Sequence, residues 1–222
     1  NIGIGTSSAD ALTTGICNVA IGANALGAST TGCLNIAIGE LALGAGVVTG
    51  IHNTAIGYGS ADALTSGYRN VAIGCAAMGA STTGCWNIAI GGNALGEADT
   101  TGIDNIAVGH NAMDALTSGI CNVAIGTNAL GAATTSCQNV AIGELAMGTG
   151  TNVAIGSIAI GVSAGAAITS GACNVMIGAC AGKAMTLGLN NVFIGRQVAE
   201  GITTEVVDDN VAIGRQALLG SS

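Results

Sequence analysis

The phrase Asn-Φ-Ala-Φ-Gly, where Φ is aliphatic, returns from end to end of this chain and constrains its fold more than any other feature. Copies or near variants start at Asn1, Asn18, Asn35, Asn53, Asn70, Asn87, Asn105, Asn122, Asn139, Ser157, Asn174, Asn191 and Asn210. The steps are 17, 17 and 18 residues, three times over, then 17, 17 and 19. A 52-residue period therefore lies over the shorter one: "SADALTTG" at Ser8 returns as "SADALTSG" at Ser60, and "AIGELALG" at Ala37 as "AIGELAMG" at Ala141. A further "NVAIG" at Asn152 falls out of step, so Asn152–Gly156 is taken as a turn and Ser157 as the start of the coil. Repeats of this length, each too small to bury a core alone, are units that stack.

Within one repeat, Val19, Ala20 and Ile21 alternate with period 2, the pattern of a strand. Gly22 ends it, and a second short apolar piece, Ala25-Leu26, precedes a Ser/Thr/Gly-rich turn. The sequence thus predicts an all-β protein, a parallel β-solenoid of about thirteen coils with two or three short strands per coil. Helices are disfavoured by the frequency of Gly. The bulkier aliphatics are expected inside, as a ladder of Ile4, Ile21, Ile38, Ile56, Ile73, Ile90, Val108, Ile125, Ile142, Ile160, Ile177, Ile194 and Ile213. The residue between the aliphatics is then expected outside, and the file Ala20, Ala37, Ala55, Ala72, Ala89, Ala107, Ala124 and Ala141 becomes a candidate assembly face. Asn18, Asn35, Asn53, Asn70, Asn87, Asn105, Asn122 and Asn139 are expected to form a ladder of amide hydrogen bonds at a corner, since stacked strands lie about 4.8 Å apart.

Composition agrees with a thin, regular interior. Aromatic residues make up 2% of the chain and charged residues 7%, against 38 Gly and no Pro. Residues 1–190 form the regular array; residues 191–222 gather Arg196, Glu200, Glu205, Asp208, Asp209 and Arg215 and are expected to be a boundary or cap. A net charge of −8, with four Lys and Arg, disfavours nucleic acid and anionic membrane surfaces as partners. No apolar run is long enough for a membrane-spanning helix. The chain opens within its repeat, so it is expected to be a mature or partial segment.

Chemistry-bearing residues are sparse. His52 and His110 stand apart from any metal-binding spacing. Asp10, Asp62 and Asp114 recur three coils apart, too far to work as an acid–base pair, and Glu40 and Glu144 are equally isolated. No catalytic constellation and no cofactor fingerprint occurs, so an enzyme is not expected. Threonines recur near one turn, among them Thr13-Thr14, Thr30-Thr31, Thr82-Thr83, Thr134-Thr135 and Thr203-Thr204. They form either a hydroxyl ladder within the turn or an array of the kind that binds ice. Eight Cys point to an oxidising compartment. The 16-residue spacings Cys17–Cys33 and Cys121–Cys137 predict disulfides between neighbouring coils, leaving Cys85 and Cys173 with Cys75 and Cys180 as candidate partners.

"NTAIGYGSADALTSGYRN" at Asn53, with "VAIG" recurring throughout, resembles the head repeats of trimeric autotransporter adhesins and the "NTAIGxxAL" repeats of phage and virus tail fibres. The resemblance covers essentially the whole chain. It implies an extracellular, virion-borne or cell-surface rod, commonly a homotrimer, used for attachment or as a spacer. The expected function is accordingly structural and adhesive, with a cell-surface or glycan receptor. An ice-binding solenoid and a self-assembling filament subunit are the alternatives.

Overall fold

The computed structural model describes residues 1–203 and 207–218, and over these it is a parallel β-solenoid in two compact units, Asn1–Asn111 and Ala112–Ser222. The first unit holds β1 (Ile2–Ile4), β2 (Val19–Ile21), β3 (Ile36–Ile38), β4 (Thr54–Ile56), β5 (Val71–Ile73), β6 (Ile88–Ile90) and β7 (Ile106–Val108). The second holds β8 (Val123–Ile125), β9 (Val140–Ile142), β10 (Ile158–Ile160), β11 (Val175–Ile177), β12 (Val192–Ile194) and β13 (Val211–Ile213). Within each unit the strands pair in chain order, every aliphatic and every central residue facing its equivalent one coil away. In the second unit Ile158 pairs with Val140, so the coil does start at Ser157 and Asn152 belongs to the preceding turn. Thr204 and Glu205, both singled out in the sequence, lie outside the described residues.

Each coil carries one three-residue strand rather than two or three. The Ala25-Leu26 piece is a run of turns instead: Ala25, Gly27 and Ser29 donate N–H bonds to the carbonyls of Gly22, Asn24 and Leu26 at 3.3, 3.0 and 3.2 Å. Such a run needs left-handed residues, which Asn24 (φ 54°) and Leu26 (φ 51°) supply, and Leu34 (φ 59°) makes a further left-handed corner before the next coil. A branched residue in that region costs about 1–2 kcal/mol. The cost is offset between coils, because the N–H groups of these three residues reach the carbonyls of Thr6, Ala42 and Leu34's neighbour Ile16 at 2.9, 3.0 and 3.0 Å.

The facing of the strands is the reverse of the expected one. Ala20, Ala37, Ala55, Ala72, Ala89, Ala107, Ala124 and Ala141 are buried, at 0–1% exposure, while Ile90 and Ile125 are 38% and 40% exposed. The outward Ala face does not exist, and the Ile ladder lies on the surface. The reason is parity. Residues i and i+2 of an extended segment share a side, so the inward-facing Asn18 carries Ala20 inward with it and sends Val19 and Ile21 out.

Most coils trade bulk between two interior positions three residues apart, although the coil from Asn105 fills both, with Met113 and Leu116 fully buried. Coils that place Leu26, Leu43, Met78, Leu95 or Leu130 inside follow it three residues later with Ser29, Gly46, Ser81, Ala98 or Ala133, whereas Ala61 is followed by Leu64 and Gly165 by Ile168. Two coils replace the central Ala by Met176 and Phe193, both fully buried. Glycines make the room: a Cβ on Gly165 would lie 2.6 Å from Met176 Cε, and one on Gly182 would lie 3.0 Å from Met176 Sδ and 3.3 Å from Phe193 Cδ2.

Candidate interaction surfaces

The Asn side chains form a ladder of hydrogen bonds from coil to coil, and they are buried. In the first unit each Asn Oδ1 accepts the backbone N–H of the next Asn: Asn18 to Asn1 at 2.9 Å, Asn35 to Asn18 at 2.9 Å, Asn53 to Asn35 at 2.9 Å, Asn70 to Asn53 at 3.0 Å, Asn87 to Asn70 at 2.9 Å and Asn105 to Asn87 at 3.0 Å. The amide nitrogen meanwhile closes its own coil: Asn18 Nδ2 donates to Gly32 O at 2.7 Å and Asn70 Nδ2 to Gly84 O at 2.7 Å. One side chain thus ties neighbouring coils together and joins the two ends of a coil. The role is structural.

Ser157 does half of this. Its backbone N–H donates to Asn139 Oδ1 at 2.9 Å and its Oγ accepts from Asn174 N at 3.2 Å, but a hydroxyl is too short to span the coil as an amide does. Ser157→Asn is expected to stabilise the second unit by about 0.5–1.5 kcal/mol, one net hydrogen bond. Thermal melting checks this: an unchanged or lowered midpoint would mean that the coil has no room for the amide.

The cysteines do not pair. All eight are free thiols. Cys17 occupies the column immediately before the Asn, and the next coil places Leu34 there, while Cys33 sits one column earlier, level with Ile51. A 16-residue spacing falls one residue short of the 17-residue coil, and one residue along an extended segment points a side chain to the opposite side. Cys121 and Cys137 are offset in the same way, with Cys137 level with Ile155. Cys75 and Cys180 lie just after the strands and in the following turn, away from the column that holds Cys173, so the remaining pairings fail too.

The threonines divide their work. Thr13, Thr65, Thr169 and Thr186 donate their hydroxyls along the stack to the carbonyls of Thr30, Thr82, Thr186 and Thr203 at 3.0–3.1 Å. Thr14, Thr31, Thr83 and Thr135 are exposed beside them. Asp62 and Asp99 likewise act along the stack, accepting from the backbone N–H groups of Ala45 and Thr82 at 2.9 Å each. His52 and His110 are exposed, and among the described residues no three His, Cys, Asp or Glu side chains come together as a metal site would require.

Two surfaces remain. The first is the outer face of the strands, two files of Val and Ile (Thr54 the one polar member) that are half-buried or exposed on every coil. The second is a corner in the first unit where one column reads Leu34, His52, Arg69, Trp86 and Asp104 on successive coils, with Tyr68 in the column beside it. The sequence carried a signal for this cluster: its only Trp stands 17 residues from the only Lys or Arg among residues 1–182. No protein-family model matches the chain, and neither does any curated protein or solved structure.

Proposed function

We propose that this chain is a structural segment of an extracellular or surface-borne fibre, and that it associates with further copies of itself through the outer Val/Ile face. The observation that carries the reading is the absence of alternation on that sheet. An antiparallel or solenoid sheet wetted on one side shows polar residues there, whereas residues that are apolar on both faces belong to a sheet covered on both. Val71, Ile73, Ile88, Ile90, Ile106 and Val108 continue the two files over three successive coils without a polar residue, and the buried Ala file lies behind them. A contiguous apolar strip of this kind is a partner surface rather than a solvent surface. A parallel homotrimer is the arrangement favoured by the resemblance of the repeats, with a lateral filament as the other. Either would act as a shaft or head that presents binding groups at its corners.

Replacing Ile73, Ile90 and Ile125 together by Lys tests this. Sedimentation of the parent protein is expected to give a species larger than a 21.1 kDa monomer, and the variant a monomer with its β-sheet circular dichroism retained. A parent that sediments as a folded monomer would overturn the proposal. A second reading, ice binding, has one observation in its favour: exposed Thr14, Thr31, Thr49, Ser66, Thr83 and Thr101 follow one another on successive coils near one turn. That array is one residue wide, and a thermal hysteresis assay decides it.

A further inference from the structure

The side chains of Tyr68, Arg69 and Trp86 meet across two neighbouring coils, outside the packed interior. Their backbone groups complete the solenoid like those of any other coil, Arg69 N–H bonding Ile51 O at 3.0 Å and Trp86 N–H bonding Tyr68 O at 3.1 Å. Their side chains stand outside it, Trp86 46% and Tyr68 41% exposed. Large aromatics are otherwise almost absent from the chain, which has one Trp, two Tyr and one Phe. Here two of them meet edge to face, ring centroids 6.3 Å apart at 74°. The Arg69 guanidinium lies 4.4 Å from the Trp86 ring centroid.

Arg69 also lacks the partner that a lone cation on an acidic protein would be expected to have. Among the described residues no carboxylate pairs with its guanidinium. Asp104 occupies the same column two coils on, about 9.6 Å away by strand spacing, and His52 occupies it one coil before. The guanidinium lies over Trp86, and among the described residues its N–H groups bond no protein acceptor and stay open to solvent. A guanidinium held this way is a fork set for a planar anion, since carboxylate takes two parallel N–H bonds from it.

A cleft of about 390 Å³ opens beside the fork, lined by Thr49, Gly50, Ile51, Ser66, Tyr68 and Arg69. That is at the small end of the roughly 300–1,000 Å³ typical of ligand clefts, the size of one or two sugar rings. Its lining matches such a ring. Tyr68 offers an aromatic edge and hydroxyl, Ile51 an apolar floor, and Ser66 an exposed hydroxyl with no partner among the described residues. Gly50 at the wall is buried, its N–H bonded to Thr65 O at 3.1 Å and its carbonyl to Asn35 Nδ2 at 3.0 Å, so the polar groups open to a ligand are side chains.

We propose that this corner binds a carboxylated saccharide, with the sugar carboxylate on the Arg69 fork and the pyranose ring in the cleft against Tyr68. The site rests on the adhesive part of the function proposed above and is independent of self-association. In an assembly each copy would present its own site on the corner, off the Val/Ile face. Hexuronate and sialic acid are two sources of the same chemistry.

Trp86, as the only tryptophan, reports the site directly. The full chain is titrated with trigalacturonate, with sialyllactose, with the methyl ester of trigalacturonate and with sodium sulfate, following Trp86 emission. The proposal expects a saturable change with either carboxylated sugar, and the better of the two identifies the source. It expects none with the ester or with sulfate at matched concentration. Arg69→Gln and Arg69→Lys are each expected to weaken binding about tenfold or more, because the first removes the charge and the second the planar fork. Tyr68→Ala, which keeps the reporter, is expected to weaken it as well. No response to either acid, or an equal response to sulfate or to the neutral ester, overturns the proposal. Sedimentation of the same samples separates this from the self-association reading: a responding monomer refutes only the latter, and a silent oligomer only the former.

Discussion

Gly74→Ala is expected to be among the most damaging single-methyl additions in the chain, costing more than about 4 kcal/mol and unfolding the coils around it. Gly74 follows β5 with φ of +136°, a conformation in which side chains are rarely tolerated. A Cβ there would lie 2.5 Å from Gly91 O and 2.7 Å from Gly91 C of the next coil, backbone that has no room to retreat. The same glycine also continues the parity of the inward Asn and Ala, so the methyl would point into the stack. Circular dichroism and thermal melting check the result. A variant that melts within a few degrees of the parent would mean that the corner relaxes in a way this geometry does not allow.

Ala72→Lys should be comparably disruptive, and the contrast with its neighbour gives the sharper test. Ala72 is 1% exposed, in a file of equally buried alanines on the adjoining coils. A lysine there must either bury an unpaired ammonium, which costs several kcal/mol, or displace the inward Leu and Met residues of the flanking coils. Loss of the β-sheet signal in the first unit is expected. Ile73→Lys, one residue on, is expected to leave that signal in place, since its side chain is on the outer face. If the two substitutions exchanged their effects, the assignment of inside and outside would be wrong.

The same pair of residues shows what the sequence could and could not convey. Coil length, strand position and register were legible, because the Asn-Φ-Ala-Φ-Gly phrase repeats with little variation and because Ser157 keeps the step where Asn152 does not. The facing is not legible from hydrophobic size, although the parity of the Asn file implies it. A buried Asn ladder and an inward Ile ladder are incompatible, as positions 1 and 4 of an extended segment lie on opposite sides. Hydrophobic size favoured Ile for the interior, but in most coils the strand places Ala inside and the bulk comes from Leu or Met in the turn. The cysteine spacing misled by a single residue, enough to put each thiol in a different column from its expected partner. The Arg69–Trp86 contact was legible only as a coincidence of two rare residues one coil apart. Charge patterning does not reveal such a cluster when the ring supplies the attraction.

The exchange of bulk between Gly165, Met176, Gly182 and Phe193 reaches beyond packing. Most coils of the array share one interior shape and could be shuffled, deleted or copied with little effect on their neighbours, which is how a three-coil block can multiply. The coils around Met176 and Phe193 cannot. Each of these side chains projects into a notch left by a glycine, Gly165 facing Met176 and Gly182 facing both, so this stretch is keyed to its own neighbours. Recombination within the repeat would be tolerated on one side of this stretch and rejected across it. The array therefore has a freely editable part and a part whose order is fixed by shape.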